Sequence, residues 1–111
     1  MHIVMVSGEY PPRWGGMGSV VFHLAGHLAQ RGHKVTVITR KHKSMPPTQP
    51  GVEVIPVRWA PLPMAFTRSF GKNAIKALIK LDRRRSIDVV NAHLPLVSWT
   101  KAQFKFIEKN I

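Results

Sequence analysis

The chain has 111 residues, enough for one globular domain with its own core, and 44% of them are hydrophobic. The absence of cysteine excludes disulfides, cysteine metal sites and a cysteine nucleophile, and no apolar run is long enough to span a bilayer. With 17 Lys and Arg against 5 Asp and Glu, the formal net charge of +12 favours polyanionic partners (nucleic acid, acidic lipid or a phosphorylated substrate) or is simply a solvated basic surface.

The first half of the chain predicts two strands with a helix between them. Residues 2–7 are a hydrophobic strand, and residues 19–30 form an amphipathic helix with Gly18 or Ser19 as its N-cap. Gly32 is the expected left-handed C-cap, and the β-branched residues 34–39 are typical of a strand buried on both faces. The helix should face the sheet with its apolar positions, which are Val20, Val21, Leu24, Ala25 and Leu28.

The second half predicts two further strands and two further helices. Residues 40–51 form a basic, proline-rich loop that we expect to be mobile, and residues 52–57 are the third strand. A helix is predicted over 66–84, a fourth strand over 87–91 and a third helix over 97–109. The apolar stripe of the 66–84 helix consists of Phe66, Phe70, Ala74, Ala77, Leu78 and Leu81.

The alternation of strands and helices indicates an α/β fold, a Rossmann-like three-layer α/β/α arrangement in one domain over residues 1–111. Right-handed crossovers then give a parallel four-stranded sheet in the order 3-2-1-4, part of a doubly wound fold. Its fourth strand would be an apolar edge, so we expect self-association into a homo-oligomer that covers this edge.

The glycine-rich junction between the first strand and the first helix is the candidate anion site. Backbone N–H groups at a helix start lack partners, and the helix dipole favours an anion there. A dinucleotide fingerprint needs its glycines directly after the strand, whereas Gly15, Gly16 and Gly18 come late and no acid ends the second strand. The pattern therefore disfavours a dinucleotide and leaves a sugar-nucleotide phosphate or a purely structural loop.

Four segments together resemble the family-4 glycosyltransferases from end to end. They are EYPP at residues 9–12, GGMG at 15–18, RGHKVTV at 31–37 and IDVVNAH at 87–93. The resemblance, to glycogen- and starch-synthase-like and phospholipid mannosyltransferase-like members, implies the N-terminal, acceptor-side domain of a GT-B enzyme. Such an enzyme transfers a sugar from a nucleotide sugar to a carbohydrate or lipid acceptor, with retention, and the nucleotide sugar is a substrate rather than a cofactor.

The resemblance also implies roles for particular residues. The amides of Gly15, Gly16 and Met17 would approach the donor phosphates, and Arg13 stands where related synthases have a donor-contacting lysine, although a solvated loop cation is an equal alternative. Glu9 is a weak candidate for the acceptor or makes a structural hydrogen bond. His93 is a weak acceptor candidate too, because the sequence departs from the family pattern on both sides of it, at Asn91 and Leu94.

A basic row on the 66–84 helix has three interpretations. Arg68, Lys72, Lys76 and Lys80 recur at i+4 spacing, which weakens an isolated helix. They form a solvated face, a docking face for acidic membranes as in some lipid-glycosylating members of the family, or a phosphate-backbone site. Nucleic acid is disfavoured because no aromatic residues are interleaved with these cations. The expected location is cytoplasmic, or peripheral at the inner membrane face.

No catalytic residue and no metal site are expected within the chain. His23 and His27 share a helix face, but no third ligand accompanies them, and both should face solvent. The donor-binding domain and the catalytic groups of the family would follow residue 111, so we expect the chain to be an incomplete GT-B half that is inactive alone. A truncated product, a remnant and one member of a split gene pair stay open, as does a non-catalytic basic module that binds anionic membrane or nucleic acid.

Overall fold

Residues 1–7, 15–41, 46, 49–58 and 65–92 are described by a computed structural model of the chain, with the backbone alone at 15–17, 65–68 and 92. The third helix predicted over 97–109, and half of the loop expected to be mobile, lie outside these residues. The elements are, in order, β1 (His2–Val6), α1 (Gly15–Gln30), β2 (Lys34–Arg40), β3 (Val52–Val57), α2 (Ala65–Arg84) and β4 (Val89–Ala92).

The strands form one parallel sheet in the order β3-β2-β1-β4, so the predicted α/β class and strand order are confirmed. Alternate residues of β1 face opposite layers, because successive strand side chains point to opposite faces. Ile3 and Met5 pack in the α1 layer, while Val4 and Val6 pack in the α2 layer. All residues of β1 are buried, as expected for a central parallel strand.

The helix α2 docks on the sheet through the apolar stripe that its sequence predicts. Its buried members come from four successive turns and pack against β1, Ile38 of β2 and Val57 of β3. These members are Phe70, Ala74, Leu78 and Leu81. Ala77 is half-buried against the same cluster, so the prediction for this helix is confirmed wherever side chains are described.

The helix α1 begins four residues earlier than predicted. It starts at Gly15, so Gly18 and Ser19 lie inside the helix and neither is its N-cap. Low helix propensity costs least in the first turn, where N–H groups have no helical partner in any case. Gly18 is also buried, and a residue without a Cβ allows the helix start to approach its neighbours closely.

The face that α1 turns to the sheet differs from the predicted one. Val21 and Ala25 are fully buried, but Val20 is 56% exposed and Leu24 is 37% exposed, so the prediction for these two was wrong. Leu28 packs against the α1-layer core as predicted, and Phe22 and Ala29, which lie outside the predicted stripe, pack there as well. The turn between β2 and β3 contacts the flank of Phe22 and Ala29, which brings these two residues inward at the expense of Val20 and Leu24.

The C-terminus of α1 is closed by a Schellman motif. Gly32 has a φ of 92° and is the left-handed residue that the sequence predicts there. Its N–H donates to Ala29 O at 3.0 Å, and the His33 N–H donates to Leu28 O at 3.3 Å. Both carbonyls would otherwise lack a partner at the helix end, so the motif satisfies them and turns the chain directly into β2.

A type II turn leads into β3. Pro50 and Gly51 occupy its two central positions, Gly51 has a φ of 78°, and the Val52 N–H donates to Gln49 O at 3.2 Å. A Cβ on Gly51 would lie 3.1 Å from Ala29 Cβ, so the turn needs glycine for both conformation and space. The same turn anchors α1, because Gln49 Nε2 donates to Phe22 O at 2.9 Å.

We expect Gly26→Ala to change the free energy of unfolding by different amounts in two backgrounds. Alanine in a helix is favoured over glycine by about 1 kcal/mol, but a Cβ at Gly26 would overlap Gln49 Oε1. In the natural sequence the gain should therefore be offset by displacement of the Gln49 side chain, leaving a change below about 0.5 kcal/mol. With Gln49→Ala, the full gain of about 1 kcal/mol should emerge in urea denaturation. Equal effects in both backgrounds would contradict this packing.

The strand β4 starts two residues later than predicted. Ile87 is buried before the strand, and its N–H donates to Asp82 Oδ1 at 2.9 Å. Asp88 then aligns β4 with the start of β1, because its N–H donates to His2 O at 2.9 Å. Within the described residues β4 is one edge of the sheet, with Val89 41% exposed, and self-association over it stays a prediction.

Candidate functional site at the carboxyl edge of the sheet

All four strands end at one edge of the sheet, and both helices begin there. The strands are parallel, so their carboxyl ends coincide, and α1 and α2 each follow a strand that ends at this edge. Open α/β sheets bind ligands in the crevice outside the carboxyl ends of their strands. The two helix N-termini add partial positive charge at the same place.

The residues predicted to approach a phosphate lie in the first turn of α1 rather than in a loop before it. Gly15, Gly16 and Met17 are the first three residues of the helix. This corrects their predicted conformation, while their amides stay among the four N–H groups that have no partner within the helix. The arrangement is one that binds anions through backbone N–H groups and the helix dipole.

Two hydroxyl residues end the strand rows beneath α1. Ser7 and Thr39 continue the register that pairs Val6 with Ile38, and the Ser7 N–H donates to Ile38 O at 3.0 Å. By strand alternation both face the α1 layer, and both are buried. The Thr39 hydroxyl has no hydrogen-bond partner in the part of the chain that the structure describes, which is costly unless a ligand or water supplies one. The sequence did not predict this pair. Each hydroxyl residue follows an apolar strand, and the two become neighbours only through the register of β1 with β2.

Charge is distributed unevenly between the two edges of the sheet. Arg40, Lys41 and Arg58 follow or end strands at the carboxyl edge. The acids of the described residues lie elsewhere: Asp88 precedes β4 beside the start of β1, and the other two are Glu53 and Asp82 near the far end of α2. An anion at the carboxyl edge therefore meets cations and helix N-termini without a described carboxylate nearby.

The other predicted site residues are only partly brought to this edge. Asn91 is exposed near the end of β4, while Arg13, Glu9 and His93 lie outside the described residues. In α2 the basic row is exposed at Lys72, Lys76 and Lys80, on the face away from the core, and the side chain of Arg68 is not described.

The histidine pair lies on the outside of α1. His23 and His27 are both exposed, as predicted. Among the residues that the structure describes, no group of three or more His, Cys, Asp or Glu side chains is placed to hold a metal ion. The described helices also include none that is both long and apolar enough to cross a membrane.

Comparison with known protein families identifies the family of the chain. Residues 14–107 match the family model described as Glycosyltransferase Family 4. The chain belongs to this family. Membership of this family accounts for the resemblance seen in the sequence, including the glycine junction and the order of strands and helices.

Relatives within the glycosyltransferases extend the match over most of the chain. A glycogen synthase of Mycobacterium tuberculosis is 38% identical over 119 aligned positions, covering 88% of this chain and 29% of the synthase. A component of the phosphatidylinositol N-acetylglucosaminyltransferase of Arabidopsis thaliana is 28% identical, covering 84% of this chain and 22% of that component.

A solved glycosyltransferase structure has the same fold. The sucrose-phosphate synthase of Thermosynechococcus elongatus superposes with a TM-score of 0.68 at 19% identity, covering 82% of this chain and 26% of the synthase. This likeness confirms the Rossmann-like α/β architecture. The chain spans less than a third of the length of each of these three proteins.

Proposed function

We propose that these 111 residues form the acceptor-side domain of a glycosyltransferase that uses a nucleotide-sugar donor. The observation that carries the proposal is the N-terminus of α1, at Gly15, at a carboxyl edge without described carboxylates. The amides of Gly15, Gly16 and Met17 bind the donor diphosphate, with Arg13 as a further contact. The Thr39 hydroxyl, which has no hydrogen-bond partner among the described residues, supports a polar ligand in the same corner.

The acceptor is a carbohydrate or a lipid. The printed name of one relative refers to glycogen and that of another to phosphatidylinositol, a carbohydrate and a lipid. Glu9 and His93 are the acceptor-side candidates, since both flank strand ends at this edge in the sequence. The reaction is proposed to retain the configuration of the sugar, as the family resemblance implies.

A second Rossmann-like domain completes the cleft in this proposal. Glycosyl transfer requires both reactants to be held in register, and one wall alone does not do so. The 111-residue chain alone is therefore expected to give no sugar transfer with a panel of nucleotide sugars. Addition of a donor-binding domain should restore transfer. Turnover by the chain alone would contradict the division of labour between two domains.

The donor-phosphate site is tested by a matched pair of substitutions at the helix start. Gly15→Pro removes one N–H donor at a position where proline is tolerated, whereas Gly15→Ala adds a Cβ and keeps the donor. In amide NMR titrations with uridine, adenosine and guanosine diphosphates, the proline variant should bind the preferred nucleotide about tenfold more weakly. The alanine variant should stay within about twofold of the natural chain.

Three results would contradict the donor site. They are equal weakening in the two variants, no binding of any of the three nucleotides, and shifts that avoid residues 15–17. Because the readout is binding at named amides, it is independent of whether the second domain is supplied.

A non-catalytic, basic module is the second candidate. The exposure of Lys72, Lys76 and Lys80 along one face of α2 favours it, since such a row attracts anionic membrane or, less well, nucleic acid. The two functions differ in one result. A glycosyltransferase domain gains turnover when a donor-binding domain is added, and a purely anion-binding module does not.

A further inference from the structure

A groove lies on the outer flank of the sheet, between α2 and the edge strand β3. Its volume is about 530 Å³. The floor is apolar and is made by Ile55 and Val57 of β3 with Ala77 and Leu81 of α2. Four cations surround this floor, and they are Arg58, Lys76, Lys80 and Arg84. The donor site proposed at Gly15 uses none of these residues.

The dimensions of the groove follow from its two ends. Asn73 Nδ2 donates to Arg58 O at 2.7 Å at one end, and Arg84 lies 3.4 Å from a carboxylate oxygen of Glu53 at the other. The strand and helix segments between these contacts are each about 16 Å long. The groove is open along one side, so its floor accommodates a ligand about 16 Å long.

An extended peptide is disfavoured by the backbone of β3. Gly51 O and Val57 O accept hydrogen bonds from β2, so alternation turns Val52, Val54 and Pro56 toward the open edge. Pro56 has no N–H, and the Val52 N–H donates to the preceding turn. Only one of these three residues therefore offers an edge N–H to an added strand, so a peptide here would leave backbone groups unpaired.

The charges around the groove identify the kind of head group. Glu53 is the single acid that lines it and is contacted by Arg84, so the cations outnumber the acids by three. Arg58 and Lys76 lie toward the end remote from Glu53, and Lys80 lies on α2 between Lys76 and Arg84. An anion is therefore favoured at that end, while an apolar body without backbone amides fits the floor.

We propose that this groove binds a single-chain anionic amphiphile. The apolar chain lies on Ile55, Val57, Ala77 and Leu81, and a phosphate or carboxylate head is held by Arg58, Lys76 and Lys80. The ligand is recognised as one molecule, whether it comes from solution or from a lipid layer. This recognition differs from attraction of the whole basic face to a charged surface, because it requires the apolar floor as well as the cations.

Calorimetric titration of the full chain with monomeric dodecyl phosphate tests the proposal. We expect one-to-one binding at least about tenfold tighter than that of butyl phosphate, which has the same head and a shorter chain. Inorganic phosphate should bind no better than butyl phosphate. Ala77→Phe fills the floor without a change of charge and should abolish the advantage of the longer chain, with circular dichroism and the unfolding midpoint confirming that the variant folds.

Charge reversal distinguishes the groove from the rest of the basic face. Lys76→Glu with Lys80→Glu should weaken dodecyl phosphate binding by at least about tenfold. The matched control, Lys72→Glu with Arg83→Glu, makes the same change of net charge at exposed positions of α2 outside the groove lining and should stay within about twofold.

The source of the amphiphile is resolved by vesicles of phosphatidylcholine with and without lysophosphatidic acid, a phosphate lipid with one acyl chain. Extraction of single lysophosphatidic acid molecules, or competition by dodecyl phosphate for vesicle binding, supports the groove. Equal losses in the two charge-reversed variants would overturn the proposal in favour of diffuse surface charge. Vesicle binding without any binding of monomeric dodecyl phosphate would overturn it in favour of a membrane surface, and no binding of either would overturn it outright.

Discussion

Replacing Phe70 with alanine is expected to lower the free energy of unfolding by about 3–5 kcal/mol. Phe70 is the largest fully buried side chain of the described residues. It lies in the α2 layer with Val4, Val6 and Ile38 of the sheet. Its removal loses the transfer free energy of the ring and leaves a cavity that the packed strands fill only in part. Natural domains are stable by about 5–15 kcal/mol, so this one change removes a large share of the total.

Urea denaturation followed by circular dichroism measures the effect, and the control is a truncation on the other helix. Val20→Ala removes apolar atoms from a position that is 56% exposed and should change the free energy of unfolding by less than about 0.5 kcal/mol. A large loss at Val20 would mean that this residue faces a packed neighbour, as its sequence spacing alone suggests. A loss below about 1 kcal/mol at Phe70 would contradict the docking of α2 on the sheet.

The strands and α2 were predictable because their signals are local and strong. β-branched runs specify buried parallel strands, and the i, i+4 stripe that includes Phe70 and Ala74 specifies the docked face of α2. The left-handed conformation of Gly32 was predictable for the same reason, since helices commonly end at a glycine in this conformation. Strand order then follows from the handedness of crossovers.

The packing of α1 was not predictable because a distant segment decides it. The apolar arc of this helix is wider than its contact with the sheet, and the sequence does not say which part of the arc is used. Gln49 and Gly51, from the turn before β3, contact one flank of α1 and so leave Val20 and Leu24 on the other. A choice between two apolar flanks is made by tertiary contacts, and neither propensity nor periodicity contains that information.

That a helix follows the glycine junction was predictable, whereas its start at Gly15 and the hydroxyls beneath it were not. Anion binding by the amides of Gly15 and Gly16 stays a prediction. Ser7 and Thr39 stand on neighbouring strands only because of the register of β1 with β2. Such pairs become visible once strand partners are known, because the residues are far apart in sequence and each alone carries no distinctive signal.

Replacing the buried His2 at the start of β1 is expected to have the second large effect on the free energy of unfolding. This residue connects β1 with β2 and with the segment before β4. His2 Nδ1 lies 3.1 Å from Ser86 O and His2 Nε2 lies 3.0 Å from Thr36 Oγ1. A carbonyl only accepts, so Nδ1 carries a hydrogen and donates to Ser86 O, while Nε2 and the Thr36 hydroxyl share the second hydrogen bond. The backbone adds two bonds to Asp88, one from the His2 N–H to Oδ2 at 2.6 Å and one from the Asp88 N–H to His2 O at 2.9 Å.

His2→Ala should therefore lower the free energy of unfolding by about 2–4 kcal/mol, through a cavity, a buried Thr36 hydroxyl left without this partner and a partly buried Ser86 carbonyl left without its partner. A double-mutant cycle separates these contributions. Thr36→Val keeps the shape of the side chain and removes the hydroxyl, so it should cost about 1–2 kcal/mol beside His2 and much less beside alanine. His27→Ala, at an exposed histidine of α1, should stay within about 0.5 kcal/mol. Additive losses at His2 and Thr36 would show that the ring stabilises the sheet edge by packing alone, without the hydrogen bond between β1 and β2.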